Sequence, residues 1–315
     1  MKNSSTLPYN DYGSAMQRRF GGRVQKLAID AGLGCPNRDG SISFGGCSFC
    51  RSDAFSPSYC REDGGIAEQI DRALNFHTSR RRCAKHYLAY FQSGSNTYAN
   101  VEHLEKLYSE ALNHPAISGI IIGTRADCIS SEKLDLLHHL SHQAYIAVEY
   151  GIESVYDTTL QRVNRGHDFH AVERAVAATH QRGIDVGGHL IVGLIDESRE
   201  EIIQGMERIN ALKLNFIKFH QLQIYRSTPI AEEWQKYPER FLFGSPNSVD
   251  SYIELMIELL RHLDPSTAVE RLVSSAPHHL LLHSPLGGLR PDAVRECIIE
   301  QMRARNIRQG DALLG

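Results

Sequence analysis

Six short apolar runs, each separated from the next by one or two amphipathic stretches, restrict this chain to few folds. KLAID (26–30), HYLAYFQ (86–92), SGIIIGT (118–124), AYIAVEYGI (144–152), DVGGHLIVGL (185–194) and NFIKFHQLQIY (215–225) read as strands. Residues 64–82, 101–113, 131–143, 154–163, 169–182 and 200–213 read as helices, the third with Ser130 or Ser131 as its N-cap. The strands are apolar throughout rather than alternating, as strands buried on both faces are, so they predict a parallel sheet covered by helices. The expected fold is α/β: a partial (βα)6 TIM-like barrel with a helical C-terminal extension. An open doubly wound sheet is the competing arrangement, and periodicity does not separate the two. The expected organisation is an N-terminal extension over 1–23, a barrel core over 24–230 and a C-terminal helical extension over 231–315. After Tyr225 the strand pattern stops, and helices near 249–263 and 291–306 read as an appendage packed on the barrel edge.

Barrels of this kind carry their chemistry at the C-terminal ends of the strands. The most polar and unusual segments all fall there. GCPNRDGSISFGGCSFC (34–50) follows the first strand, SGSNT the second, TRADC the third, GIES the fourth and GLIDES the fifth.

Three of the seven cysteines lie in the first of these loops, spaced Cys35-x11-Cys47-x2-Cys50. No apolar run approaches the roughly 18–20 residues of a membrane span, and the N-terminus lacks the apolar core of a secretory signal. A cytoplasmic location is expected, where thiols stay reduced, so the cysteines read as metal ligands plus a few core fillers. A structural zinc site would need a fourth ligand such as Cys60 or a histidine. An iron–sulfur cluster held by three thiolates would keep one iron open. Position on the reactive rim favours the latter. The net charge of −3 announces no nucleic-acid binder, although basic residues cluster at 17–23, 79–86 and 301–308.

These motifs resemble the radical S-adenosylmethionine (SAM) superfamily, and within it the YhcC-like or YtqA-like proteins related to the Elongator catalytic subunit. The resemblance runs through RRFGGRVQKLAIDAGLGCPNRDG (18–40), YLAYFQSGSNTY (87–98), GTRADC (123–128), NRGHDF (164–169) and HLIVGL (189–194), and reaches the QG at 309–310. The eleven-residue first gap departs from the superfamily's common CxxxCxxC. Ile195 and Asp196 replace its usual Pro-Gly, and Ala126 a usual proline. The resemblance implies a [4Fe–4S] cluster on Cys35, Cys47 and Cys50, with SAM on the fourth iron. It implies SAM contacts from Phe49, from the turn Ser93, Gly94 and Ser95, from Glu153 and Arg165, and from His189. A plain Arg165–Glu153 ion pair is the alternative reading of that couple.

The implied activity is reductive cleavage of SAM to a 5′-deoxyadenosyl radical, driven by an electron donor such as a flavodoxin or ferredoxin. The implied substrate is a tRNA wobble-uridine side chain, docked through the three Arg-rich stretches. A small metabolite or protein substrate is the second reading, and a noncatalytic zinc-stapled binding module the third. Lys218 and His220, which alternate onto one face of the sixth strand, are candidates for substrate binding. Cys128 is a candidate hydrogen-atom donor. Each has a plainer reading, as a buried ion-paired lysine and a core cysteine.

Overall fold

The computed structural model describes residues 7–51, 57–60, 64–245 and 248–313. The outermost residues of the expected terminal extensions, 1–6 and 314–315, therefore lie outside the described residues. Seven strands form one parallel sheet. They are β1 (Val24–Ile29), β2 (His86–Phe91), β3 (Ile117–Thr124), β4 (Tyr145–Glu153), β5 (Asp185–Val192), β6 (Phe216–Gln221) and, beyond a two-residue β7 (Ile224–Tyr225), β8 (Ala268–Arg271). The first six neighbour one another in chain order and β8 follows β6. A doubly wound sheet would reverse that order at its middle. The sheet is a half-barrel.

The helices return the chain between strands, as right-handed βα crossovers require. They include α1 (Tyr12–Phe20), α2 (Ile66–Ser79), α3 (Val101–Leu112), α4 (Ser131–Ser141), α5 (Asp157–Arg162) and α6 (Phe169–His180). Ser130 caps α4, its side chain accepting from Lys133 N–H. The single helix expected over 200–213 is divided at Gly205 into α7 (Arg199–Gln204) and α8 (Met206–Ala211). A Cβ at Gly205 would lie 2.9 Å from Val155 Cγ2, so this helix sits too close to the β4 loop for a side chain there.

Two expectations are corrected. The sixth strand does not run to Tyr225. It stops at Gln221, and Ile224–Tyr225 turns away to pair antiparallel with β9 (Leu281–His283). Nor does the strand pattern end there, because β8 joins the sheet beside β6. Four residues bounded by Thr267 and Leu272 are too short for periodicity to register. The C-terminal part also supplies α9 (Pro229–Lys236), α10 (Val249–Arg261) and α11 (Pro291–Ala304).

Inside the half-barrel the side chains form levels. At the N-terminal end of the strands, Tyr12 and Met16 of α1 pack with Leu88, Tyr90, Ile121, Ala147, Phe216 and Ala268. Helix α1, read in the sequence only as part of an extension, is the plug of the barrel. Above it lies a ring of charge. Glu149 Oε1 accepts from Lys26 Nζ at 2.6 Å and Oε2 from Lys218 Nζ at 2.6 Å. Glu270 meets Lys26 at 2.5 Å and Lys218 at 3.3 Å. Because Lys26 and Glu270 stand on the two edge strands, this ring closes the barrel where backbone pairing does not.

Candidate active site

Above the ring the half-barrel opens into a cavity of about 660 Å³, bordered by loops after β1, β2, β3 and β4 and by β5, β6 and β8. Cys35, Cys47 and Cys50 all border it.

The cysteine loop is shaped by turns that only a few residues tolerate. Arg38 N–H donates to Cys35 O at 2.8 Å and Cys50 N–H to Cys47 O at 2.9 Å, closing a turn at each end. Gly45 (φ 83°) and Gly46 (φ 85°) carry the chain between them through left-handed conformations. The loop is held from outside by NRG (164–166). Asn164 Nδ2 donates to Gly46 O at 2.8 Å and to Ser43 Oγ at 3.0 Å. The fully buried Asn37 donates to Asn164 O at 2.5 Å and contacts Cys47 Sγ at 3.5 Å.

Positive charge surrounds the thiols. Arg165 Nη1 lies 3.7 Å from Cys47 Sγ and Arg38 Nη2 3.9 Å from Cys50 Sγ. Burial, together with the neighbouring Cys47 and Cys35, nevertheless pushes the Cys50 thiol up to about 11. Thiols that raise one another in this way resist ionising together unless a cationic centre takes their charge. Cys60 also borders the cavity but donates to Ala28 O at 3.3 Å. Among the described residues, no group of three or more His, Cys, Asp or Glu side chains has the arrangement of a single metal-ion site.

The other expected site residues fall around the same space. Ser93, Gly94 and Ser95 form the turn after β2, packed on the cysteine loop: Ser95 N–H donates to Gly34 O at 3.0 Å. A Cβ at Gly94 would sit 2.2 Å from Leu33 O, so this contact requires glycine. Phe49 packs against the apolar cluster around Val163, Leu194 and Ile230 while facing the cavity. Glu153 ends β4 in a left-handed conformation (φ 66°) at a register shift, which places its carboxylate 3.8 Å from Arg165 Nη2. Arg165 Nη2 also donates to Gly151 O at 2.5 Å. Arg165 thus bridges the acid and a thiol, doing more than a plain ion pair.

His189 borders the cavity, but its Nε2 bonds Glu149 Oε2 at 2.9 Å, tying it to the charge ring. Lys218 and His220 both face the interior, as their alternation predicts. Lys218 is the buried ion-paired lysine of the plainer reading; burial draws it down to about 8, against the pull of Glu149 and Glu270. Cys128 is buried behind the rim and does not border the cavity; burial pushes its thiol up to about 11.

Sequence reasoning did not single out Arg125. It holds Asp127 in a bidentate pair at 2.9 and 2.7 Å and donates to Arg165 O at 2.8 Å, yet its Nη1 is buried without a partner among the described residues. Among the described residues Arg165 Nε and His220 Nε2 are likewise buried and unpartnered, and Ser95 Oγ, whose neighbour is the Cys128 thiol, is buried without a hydrogen bond of normal geometry. Buried donors left unbonded are costly and uncommon. Four of them on residues bordering one cavity mark a site shaped for a polar guest.

A family model described as the Radical SAM superfamily matches residues 32–209, the span from the cysteine loop into α8. The chain belongs to the radical SAM superfamily. It is an enzyme of that superfamily, and a second family model, the Radical_SAM C-terminal domain, matches residues 214–304. Protein YhcC of Escherichia coli (strain K12) is 37% identical over 276 residues, covering 87% of this chain and 85% of that one. Elongator complex protein 3 of Danio rerio is 26% identical over 201 residues, 62% of this chain but 34% of its own. This radical SAM chain therefore spans about a third of that Elongator protein. Among solved structures, the archaeal Methanocaldococcus infernus Elp3 with an N-terminal deletion superposes with a TM-score of 0.65 at 17% identity. That likeness in fold covers 91% of this chain and 64% of that one.

Proposed function

We propose that Cys35, Cys47 and Cys50 hold a [4Fe–4S] cluster and that the cavity beside them binds SAM. The observation that carries this reading is the meeting of three thiols with unpartnered buried donors at the mouth of one cavity. Loaded in this way, the site supplies one-electron cleavage of the SAM sulfonium, giving methionine and a 5′-deoxyadenosyl radical, with a flavodoxin or ferredoxin as the electron source. The chain's own residues bind and orient. Arg165 and Arg125 bring fixed positive charge to the thiolate loop, and the free Arg165 Nε suits a carboxylate. Ser93 to Ser95 offer backbone groups and the Ser95 hydroxyl, Glu153 an acceptor for ribose hydroxyls, and Phe49 an apolar face for the adenine. His189, already bonded to Glu149, has its second nitrogen to offer. The half-barrel wall keeps water from the reacting centre.

The substrate we assign is an RNA nucleoside side chain, on the kinship with Elongator complex protein 3. The docking face expected for that RNA is corrected. Residues 17–23 and 79–86 lead into β1 and β2, and Gln309, just after 301–308, donates to Thr267 O just before β8. All three basic stretches lie at the N-terminal ends of strands, opposite the cavity.

Anaerobic iron and sulfide analysis of wild type and Cys47→Ala tests the reading. About four iron and four sulfide per chain, lost in the variant, are expected, with dithionite-dependent 5′-deoxyadenosine formation and turnover of undermodified tRNA. Zinc without sulfide would overturn the radical reading. Deoxyadenosine formed without any change in RNA would leave the chemistry standing and remove the RNA assignment.

A further inference from the structure

The charges within the barrel do not balance on the wall made by β6 and β8. Lys26 and Lys218 are matched by Glu149 and Glu270 in the closed ring. The side chain of Arg271, the last residue of β8, has no ion pair or hydrogen bond among the described residues, although it borders the cavity and is half-buried. Arg271 pairs with Lys218 across the register shift between β6 and β8 and borders the same cavity as Lys218, His220 and Tyr90, so its charge bears on all three. On the neighbouring strand, His220 stacks obliquely on His189 at 5.3 Å, and its Nε2 is buried with no partner among the described residues. Gln221, the remaining polar side chain of β6 here, is committed to Ser274 through both its amide atoms. The groups assigned to SAM come from the loops after β1, β2 and β4 and from β5, leaving the β6–β8 wall free for a second occupant.

We propose that Arg271 and His220 form a subsite for an oxyanion of the substrate, a carboxylate or a phosphate. A guanidinium presents two parallel donors that match either group, and it is costly to leave unpaired in a partly buried wall. Burial keeps His220 uncharged, its pKa well below the usual imidazole value. In the tautomer protonated at Nε2, the ring adds a third donor without adding charge. The subsite itself stands on this geometry. Only its assignment to substrate, rather than to another ligand, rests on the functional reading above.

The test titrates reconstituted protein with sodium phosphate and, separately, sodium acetate at constant ionic strength. Saturating SAM is present and binding is followed by calorimetry. Iron content and SAM binding are measured on the same samples. One anion is expected to bind at a single site, and the tighter of the two distinguishes a phosphate ester from a carboxylate. Arg271→Gln should weaken it at least tenfold, with Arg271→Lys intermediate and His220→Phe a few-fold weaker. The lysine variant keeps the charge and serves if the glutamine variant does not fold. Equal affinity in wild type and the Arg271 variants, no saturation by either anion, or release of the anion by SAM would overturn the subsite. Arg271-dependent anion binding in a protein that holds neither iron nor SAM would keep the subsite and discard the functional reading.

Discussion

The two ends of the half-barrel solve opposite problems with the same strands. At the N-terminal end the interior is filled: Tyr12 and Met16 of α1 are buried against Leu88, Ile121, Ala147 and Phe216, and Tyr12 and Phe216 rings stand 4.9 Å apart. The cations of that end lie outside, where Arg18, Arg23, Arg81 and Arg82 are exposed with no ion pair among the described residues. At the C-terminal end the interior is left open, the loops turn on glycines, and buried donors lack partners among the described residues. The filled end supplies stability, and the open end holds polar groups in place without satisfying them. The Glu149 ring is the boundary, and it lets an open sheet behave as a closed wall beneath the cavity.

This contrast can be broken most directly at the boundary. Glu149→Gln leaves Lys26 and Lys218 short of a buried counter-charge, and a loss of about 3–5 kcal/mol in urea unfolding is expected. A smaller loss would show that Glu270 alone suffices. Met16→Ala at the plug should cost about 2–5 kcal/mol with iron content and SAM affinity per folded molecule unchanged. Impaired loading in folded protein would mean that the two ends are coupled.

At the rim, Glu197 sharpens the comparison through pH. Burial pushes its carboxyl from the usual 4.5 up to about 7, although Ser154 and Thr159 bond to it. The folded state therefore holds a proton that the unfolded state has released. The stabilising contribution is complete below about pH 4.5 and is lost as pH rises through about 7. Relative to Glu197→Gln, wild type should lose about 3 kcal/mol over that window, at about 1.4 kcal/mol per pH unit. Parallel stability curves for the two proteins would refute the raised carboxyl. The smallest effect is expected at Ser95→Ala. Removing a buried hydroxyl without a hydrogen bond of normal geometry should leave stability within about 0.5 kcal/mol, while SAM affinity falls about tenfold, or about 1.4 kcal/mol. A large stability loss with unchanged affinity would make Ser95 structural.

Much of the site was legible because its chemistry is local in sequence. Cys35, Cys47 and Cys50 share one loop, and the segments that face it each follow an apolar strand. Arg125 was not legible as more than part of a turn, because its free Nη1 is defined only by Asp127 and Arg165 occupying its other nitrogens. Arg271 carried no signal at all. It lies 53 residues beyond Lys218 in the chain, on a four-residue strand, and becomes significant only when that strand docks beside β6.

The sequence by itself determined the α/β class, the order of the first six strands with the helices between them, and the end of the barrel where the candidate site lies. Each follows from short-range periodicity and from the rule that strand C-termini carry the loops. The tertiary structure alone decided that α1 is a plug, that β8 is the edge strand, and that the basic stretches lie opposite the cavity. It also decided which charges are paired and which are left over. Pairing depends on distances between residues far apart in the chain, such as Lys26 and Glu270, and no local pattern encodes them.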